Sequence, residues 1–180
     1  MGPPMEVPES IPCPPRFSEH VFTRAYEVPV PWQVPWSWLM TPETFTKGQV
    51  WPFRVEFLDT PLPDGRIARG FDVGTLNAHH GPFMNFCGRI TRVETGPDGG
   101  RRDLHYDYGA YALAFRLIRP TLLRVEAAPS SPTTSVVTVR IESHVRRGMH
   151  RAWTLAQRCF WPGFGLALRK ACRRANQVPS

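Results

Sequence analysis

No stretch of the chain approaches about 18 uninterrupted apolar residues, so no membrane-spanning helix is expected. Cysteine is scarce, and Cys13, Cys87, Cys159 and Cys172 form no CxxC pair, which argues against a zinc knuckle or a thioredoxin-like redox site. Reduced, mostly buried thiols in a cytoplasmic protein are the simpler expectation. The sequence contains no G-x-G-x-x-G, no G-K-[ST] and no G-x-S-x-G, so nucleotide and nucleophile-elbow serine chemistry are not expected. HExxH is missing too, and no metal or other cofactor is expected. The opening residues lack the basic start and apolar run of a secretory leader. From residue 143 onward there is not one acidic residue.

That last absence locates the charge. The chain of 180 residues carries a net charge of +7, with 42% hydrophobic and 21% charged residues. Eight Lys or Arg, from Arg146 to Arg174, lie in the acid-free segment, and the rest of the chain is nearly balanced. A basic face of this kind attracts nucleic acid or anionic lipid, but more often it is the solvated side of a helix. No nucleic-acid motif accompanies it, so no nucleic-acid partner is expected; transient docking at an anionic membrane is kept as an expectation.

Six of the twenty prolines fall within residues 3–15, which reads as an extended arm over 1–18, ahead of one domain over 19–176 and a tail over 177–180. In "HVFTRAYEV" Phe22, Tyr26 and Val28 share one face of a strand, and Pro29, Pro31 and Pro35 stop it. Short helical turns are predicted around 32–40 and 42–47, with Thr41 as N-cap and Pro42 as the first helical residue. "FRVEFLD" alternates as a strand, with Phe53, Val55 and Phe57 on one face, and "PLPDGR" is a turn. "RGFDVGTLNAHHG" and "FMNFCGRITRVE" read as two strands, "TGPDGGRR" (95–102) as a hairpin loop, and "DLHYDYGAYALAFRLI" (103–118) as a long strand bent at Gly109. "LLRVEAA" and "SVVTVRIESHVR" complete the set, the latter with Val137, Val139, Ile141, Ser143 and Val145 on one face.

The segment "GMHRAWTLAQRCFWPGFGLALRKACRRA" (148–175) has helical periodicity through a Pro-Gly-Phe-Gly insert. Met149, Trp153, Ala156, Phe160, Phe164, Ala167 and Ala171 make one stripe that keeps its phase across Pro162, so one kinked helix is predicted rather than two. The insert costs helix stability, about 3 kcal/mol for Pro and about 1 for each Gly. The bend is read as shaping a cavity between helix and sheet.

A strand, two short helices, a curved antiparallel sheet of about six to seven strands and a long kinked closing helix resemble the α+β helix-grip fold of the START-like (SRPBCC, polyketide cyclase, Bet v 1-like) superfamily. The stretches that carry the likeness are "YEVPVPWQVPWSWLMTPETF", "CGRITRVE" with "LHYDYGAYALAF", and "FWPGFGLALRKA". The resemblance implies an apolar cavity between sheet and helix that takes a lipid, a polyketide or another apolar metabolite; it does not imply a reaction. Under it, Phe57, Phe86, Tyr111, Ile141, Trp153, Phe160 and Phe164 are expected to line the cavity, with Asn77 and His79 as polar contacts.

Adjacent histidines on a strand face opposite ways, so His79 and His80 do not share a metal; if Phe71, Val73 and Thr75 mark the inner face, His79 joins it. An inward His79 is a hydrogen-bonding group for a ligand, or an acid/base in a cyclase or dehydratase. In "HYDYGAY", Tyr106 and Tyr108 share one face and His105, Asp107 and Tyr111 the other, and Asp107 and Tyr111 are the remaining catalytic candidates. Binding is favoured over catalysis.

Overall fold

Period-two alternation builds the sheet and proline punctuates it. The computed structural model describes residues 11–47, 54–82, 84–111 (backbone only from 108) and 115–175. Strand β1 (Phe17–Val28) is followed by helices α1 (Gln33–Leu39) and α2 (Pro42–Lys47). Then come β2 (Arg54–Leu58), a small hairpin of β3 (Thr60–Pro61) and β4 (Ile67–Ala68), and β5 (Leu76–Gly81). Three long hairpin-linked strands and one more complete the sheet: β6 (Met84–Gly96), β7 (Gly99–Tyr111), β8 (Ile118–Ser131) and β9 (Thr134–Arg146). Helix α3 (His150–Ala175) closes the chain.

The main sheet has the order β1-β9-β8-β7-β6-β5-β2, and every neighbouring pair is antiparallel. Strands β1 and β2 follow one another in the chain yet form opposite edges, so α1 and α2 carry the backbone from one edge to the other. The prolines after Val28 make this possible, because a Pro cannot donate to a continuing ladder. Pro35 sits in the first turn of α1, where its missing N–H is no loss. Pro42 opens α2 as expected, but the Thr41 hydroxyl donates back to the Ser37 carbonyl at 2.8 Å instead of capping α2.

Other elements shift. Residues 69–75 are irregular, and the strand begins only at Leu76. The expected loop 95–102 shrinks to a turn at Pro97 and Asp98, because β6 runs on to Gly96 and β7 starts at Gly99. The expected strand 103–118 divides: β7 ends at Tyr111 and β8 begins at Ile118, with a register break against β8 after His105. Phe53 lies outside the described residues.

Helix α3 is continuous through Pro162, but its buried line is Trp153, Gln157, Trp161, Gly165, Leu168 and Cys172. This line is turned about one residue from the predicted stripe, leaving Ala156 and Ala167 exposed and Phe160 63% exposed. Burial of Trp161 outweighs burial of two alanines, since an indole removes far more apolar area from water. The polar Gln157 is tolerated on the buried line because its Oε1 accepts from Trp161 Nε1 at 2.6 Å. Gly165 has a packing reason: a Cβ there would lie 2.4 Å from the Tyr26 ring, whose hydroxyl donates to the Trp161 carbonyl at 2.8 Å.

Three apolar clusters result. The first joins Tyr26, Val28, Trp32, Trp36 and Leu39 to Val125, Val137, Val139, Ile141, Trp161 and Leu168, so the space where α1 and α3 meet β1, β8 and β9 is filled by indoles and branched chains. The second gathers Phe71, Phe86, Ile90, Leu104 and Tyr106, with Phe45 and Phe57 against them. The third is Ile118, Val145 and Trp153. Cysteine burial differs from expectation: Cys172 is buried and Cys87 partly so, whereas Cys13 and Cys159 are exposed, all four as free thiols. Among the described residues no helix is long and apolar enough to cross a membrane.

Candidate functional site

Polar side chains gather on the inner face where β5, β6 and β7 run side by side. Cross-strand partners in an antiparallel sheet share a face. The pairs Phe57↔Asn77, Val55↔His79, His79↔Phe86 and Asn77↔Gly88 therefore put Asn77 and His79 on the side of the second cluster. Gly88 lets β6 and β7 close up: a Cβ there would sit 2.3 Å from the His105 carbonyl oxygen. On the opposite face His80 Nε2 lies 3.6 Å from the Glu56 carboxylate. The outward turn of His80 and the inward turn of His79 follow the strand alternation, although residues 69–75, used to set its phase, are not in a strand.

The His79 ring stacks on Phe86, with centroids 4.7 Å apart, and meets the edge of Tyr106 at 5.9 Å. Asn77 Nδ2 donates to the Glu56 carbonyl at 3.3 Å, which orients the amide so that Oδ1 accepts from His79 Nε2. That assignment leaves the lone pair on Nδ1. Part of His79 stays accessible, yet protein surrounds the ring, and burial holds its pKa down at about 3, with the charges of His80 and Arg102 adding to the effect. A neutral imidazole at physiological pH accepts a proton or a hydrogen bond at Nδ1.

Arg102 completes the group, and the sequence reading missed it by placing it in a loop. In β7 it shares the inner phase of Gly100, Leu104 and Tyr106, and it is only 6% exposed. The alternation Gly-Arg-Arg-Asp-Leu-His-Tyr was the available signal. The guanidinium lies 3.6 Å over the Phe71 ring, donates from Nη1 to the Leu39 carbonyl at the end of α1, and touches Met40 Sδ at 3.8 Å. Burial pushes its pKa down to about 9, which still leaves it charged at neutral pH.

The other candidates are dispersed. Phe57 and Phe86 belong to the second cluster, Ile141 and Phe164 to the first, and Trp153 to the third, so they do not line one wall together. Phe160 points to solvent because the helix is rotated, and Asp107 is exposed, which removes the desolvation that an interior acid would need. The backbone of Tyr111 pairs with Met84 and Ile118; its side chain, like that of Tyr108, lies outside the described residues. A depression of about 440 Å³, open to solvent, runs between β1 and α3 along His20, Phe22, Arg24, Thr154 and Arg158. Among the described residues no group of three or more His, Cys, Asp or Glu is placed to hold a metal.

A curved antiparallel sheet gripping a long C-terminal helix, with two short helices after the first strand, is the helix-grip architecture. Solved structures share it. Norcoclaurine synthase from Thalictrum flavum, solved with dopamine and hydroxybenzaldehyde, matches over 92% of this chain and 91% of its own at 14% identity and a TM-score of 0.56. A START superfamily protein from Mycobacterium smegmatis matches over 87% and 99% at 12% identity, TM-score 0.57. Ara h 8.0201 matches over 87% of this chain and 99% of its own, at 11% identity, TM-score 0.52. The chain has the START/Bet v 1-type fold. No family model and no curated protein matches it in sequence.

Proposed function

We propose that the chain binds a small apolar molecule, aromatic rather than aliphatic, against the inner wall of β5–β7. The observation that carries this reading is the part-buried polar pair Asn77–His79 set among Phe86, Tyr106, Phe71 and Phe57. A stable core does not require a neutral imidazole with a lone pair in such a place, whereas a ligand hydroxyl or carbonyl group does gain from it. The flat rings favour flat ligands through offset and edge contacts. Native mass spectrometry of protein purified from its own source is the test. A non-covalent adduct of an apolar metabolite, displaced by added N-phenylnaphthylamine with a rise in its fluorescence, is the expected result. Absence of both the adduct and any fluorescence response overturns the reading.

The alternative is a cyclase or dehydratase that uses the same wall. The neutral His79 beside Tyr106 supplies a base and an acid for proton transfer, and one of the proteins with this fold is a synthase. Replacing His79 by Ala separates the two. Loss of turnover with retained affinity favours the enzyme, and a modest change in affinity without any turnover in the parent favours the binder.

A further inference from the structure

Arg102 is the one buried Lys or Arg among the described residues, and its burial has no acidic partner to explain it. Asp103 faces the other side of β7, held by Arg101 at 2.7 Å and Arg124 at 3.0 Å; Glu94 pairs with Arg92 at 2.6 Å, and Glu126 lies 3.9 Å from Arg101. No described acid forms an ion pair with Arg102. The chain outside the described residues holds only Glu6 and Glu9, both in the proline-rich arm. A buried charge without a counter-charge is costly, and structures retain one where something supplies the missing partner.

The contact with Leu39 accounts for one nitrogen only. Both the bond to the Leu39 carbonyl and the contact with Met40 leave from Nη1, and Nε and Nη2 find no acceptor among the described residues. Closing the end of α1 needs a donor, which a neutral Gln would supply without a charge. The Phe71 ring at 3.6 Å covers the flat face of the guanidinium and leaves its N–H edge as the direction for a planar acceptor. His79 does not neutralise it, being an uncharged ring in the same cluster.

We propose that the molecule taken up by this wall carries an oxyanion, of the carboxylate, enolate or phenolate kind, which pairs with the Nε–Nη2 edge of Arg102 while His79 and Asn77 meet its neutral polar group. This rests on the interior-binding reading above and adds the charge of the ligand to it. The matched probes are anilinonaphthalene sulfonate and its sulfonate-free parent N-phenylnaphthylamine, which share a ring skeleton and fluoresce in apolar sites. Wild-type protein is expected to bind the sulfonate at least about tenfold more tightly, as a charge-assisted pair is worth, although the neutral parent is the more hydrophobic. The preference is expected to vanish in Arg102→Met, to survive in part in Arg102→Lys, and to persist at high salt, where binding to the exposed basic face of α3 fades. Equal or tighter binding of the neutral parent by wild type overturns the anion assignment while leaving interior binding intact. A preference retained in Arg102→Met places the anion elsewhere and also overturns it. Binding of neither probe overturns this proposal, and together with the absence of a native adduct it removes the interior reading as well. The wild-type comparison decides the matter even if a variant fails to fold.

Discussion

Acid should loosen this protein through His79 more than through its other histidines. The imidazole titrates at about 3 in the folded chain and near 6.5 when unfolded. Between those values the unfolded state binds the extra proton, so stability is full above about pH 6.5 and falls as the solution is acidified toward pH 3. At about 1.4 kcal/mol per pH unit, lowering the pH from about 7 to about 4.5 costs roughly 2–3 kcal/mol through this residue, and its residual solvent contact trims the figure toward the lower end. The comparison is His79→Gln, which keeps a donor for Asn77 Oδ1 but cannot titrate. Urea unfolding of both proteins at the two pH values gives a double difference in which His20, His105 and His144, also held below the usual imidazole value by burial, cancel. Wild type is expected to lose roughly 2 kcal/mol more than the variant. An identical pH dependence in the two proteins refutes the claim that His79 is buried uncharged.

Gly165 and Gly163 should respond with opposite sign. Gly165→Ala drives a methyl into the Tyr26 ring and is expected to cost about 1–3 kcal/mol, whereas Gly163→Ala meets nothing within 4 Å and should gain up to about 1 kcal/mol, both read from thermal melts. On the outer face, burial of Asp103 raises its pKa, but hydrogen bonds from Arg101 and Arg124 outweigh that and hold the carboxyl below its ordinary value. Asp103→Asn is expected to cost about 2–4 kcal/mol in chemical denaturation, less than a fully buried ion network because the two arginine side chains keep 26% and 24% exposure. Thiol labelling of the native protein should reach Cys13 and Cys159 quickly and Cys172, 2% exposed, only on unfolding; fast labelling of Cys172 contradicts the packing of α3.

Alternation and punctuation along the chain were enough to specify the order of elements, the inner face of β9, the breaks at Pro29 and Pro31, the start of α2 at Pro42, and one helix running through Pro162. These are local matters: a period of two or 3.6 and a missing N–H act within a few residues. The inward turn of His79 belongs with them, because adjacent strand residues must part. Which side of α3 is buried was decided only by the fold, where the area of Trp161 and its bond to Gln157 outweigh a stripe of alanines and Phe160. The separation of Phe57, Ile141, Trp153 and Phe164 into three clusters depends on how α1 and α3 cross the sheet, and no periodicity encodes a crossing. Arg102 is the clearest case. Its identity was plain in the sequence, but its burial follows from a turn of two residues that lengthens β7, and its lack of an acidic partner exists only once strands distant in the chain lie side by side.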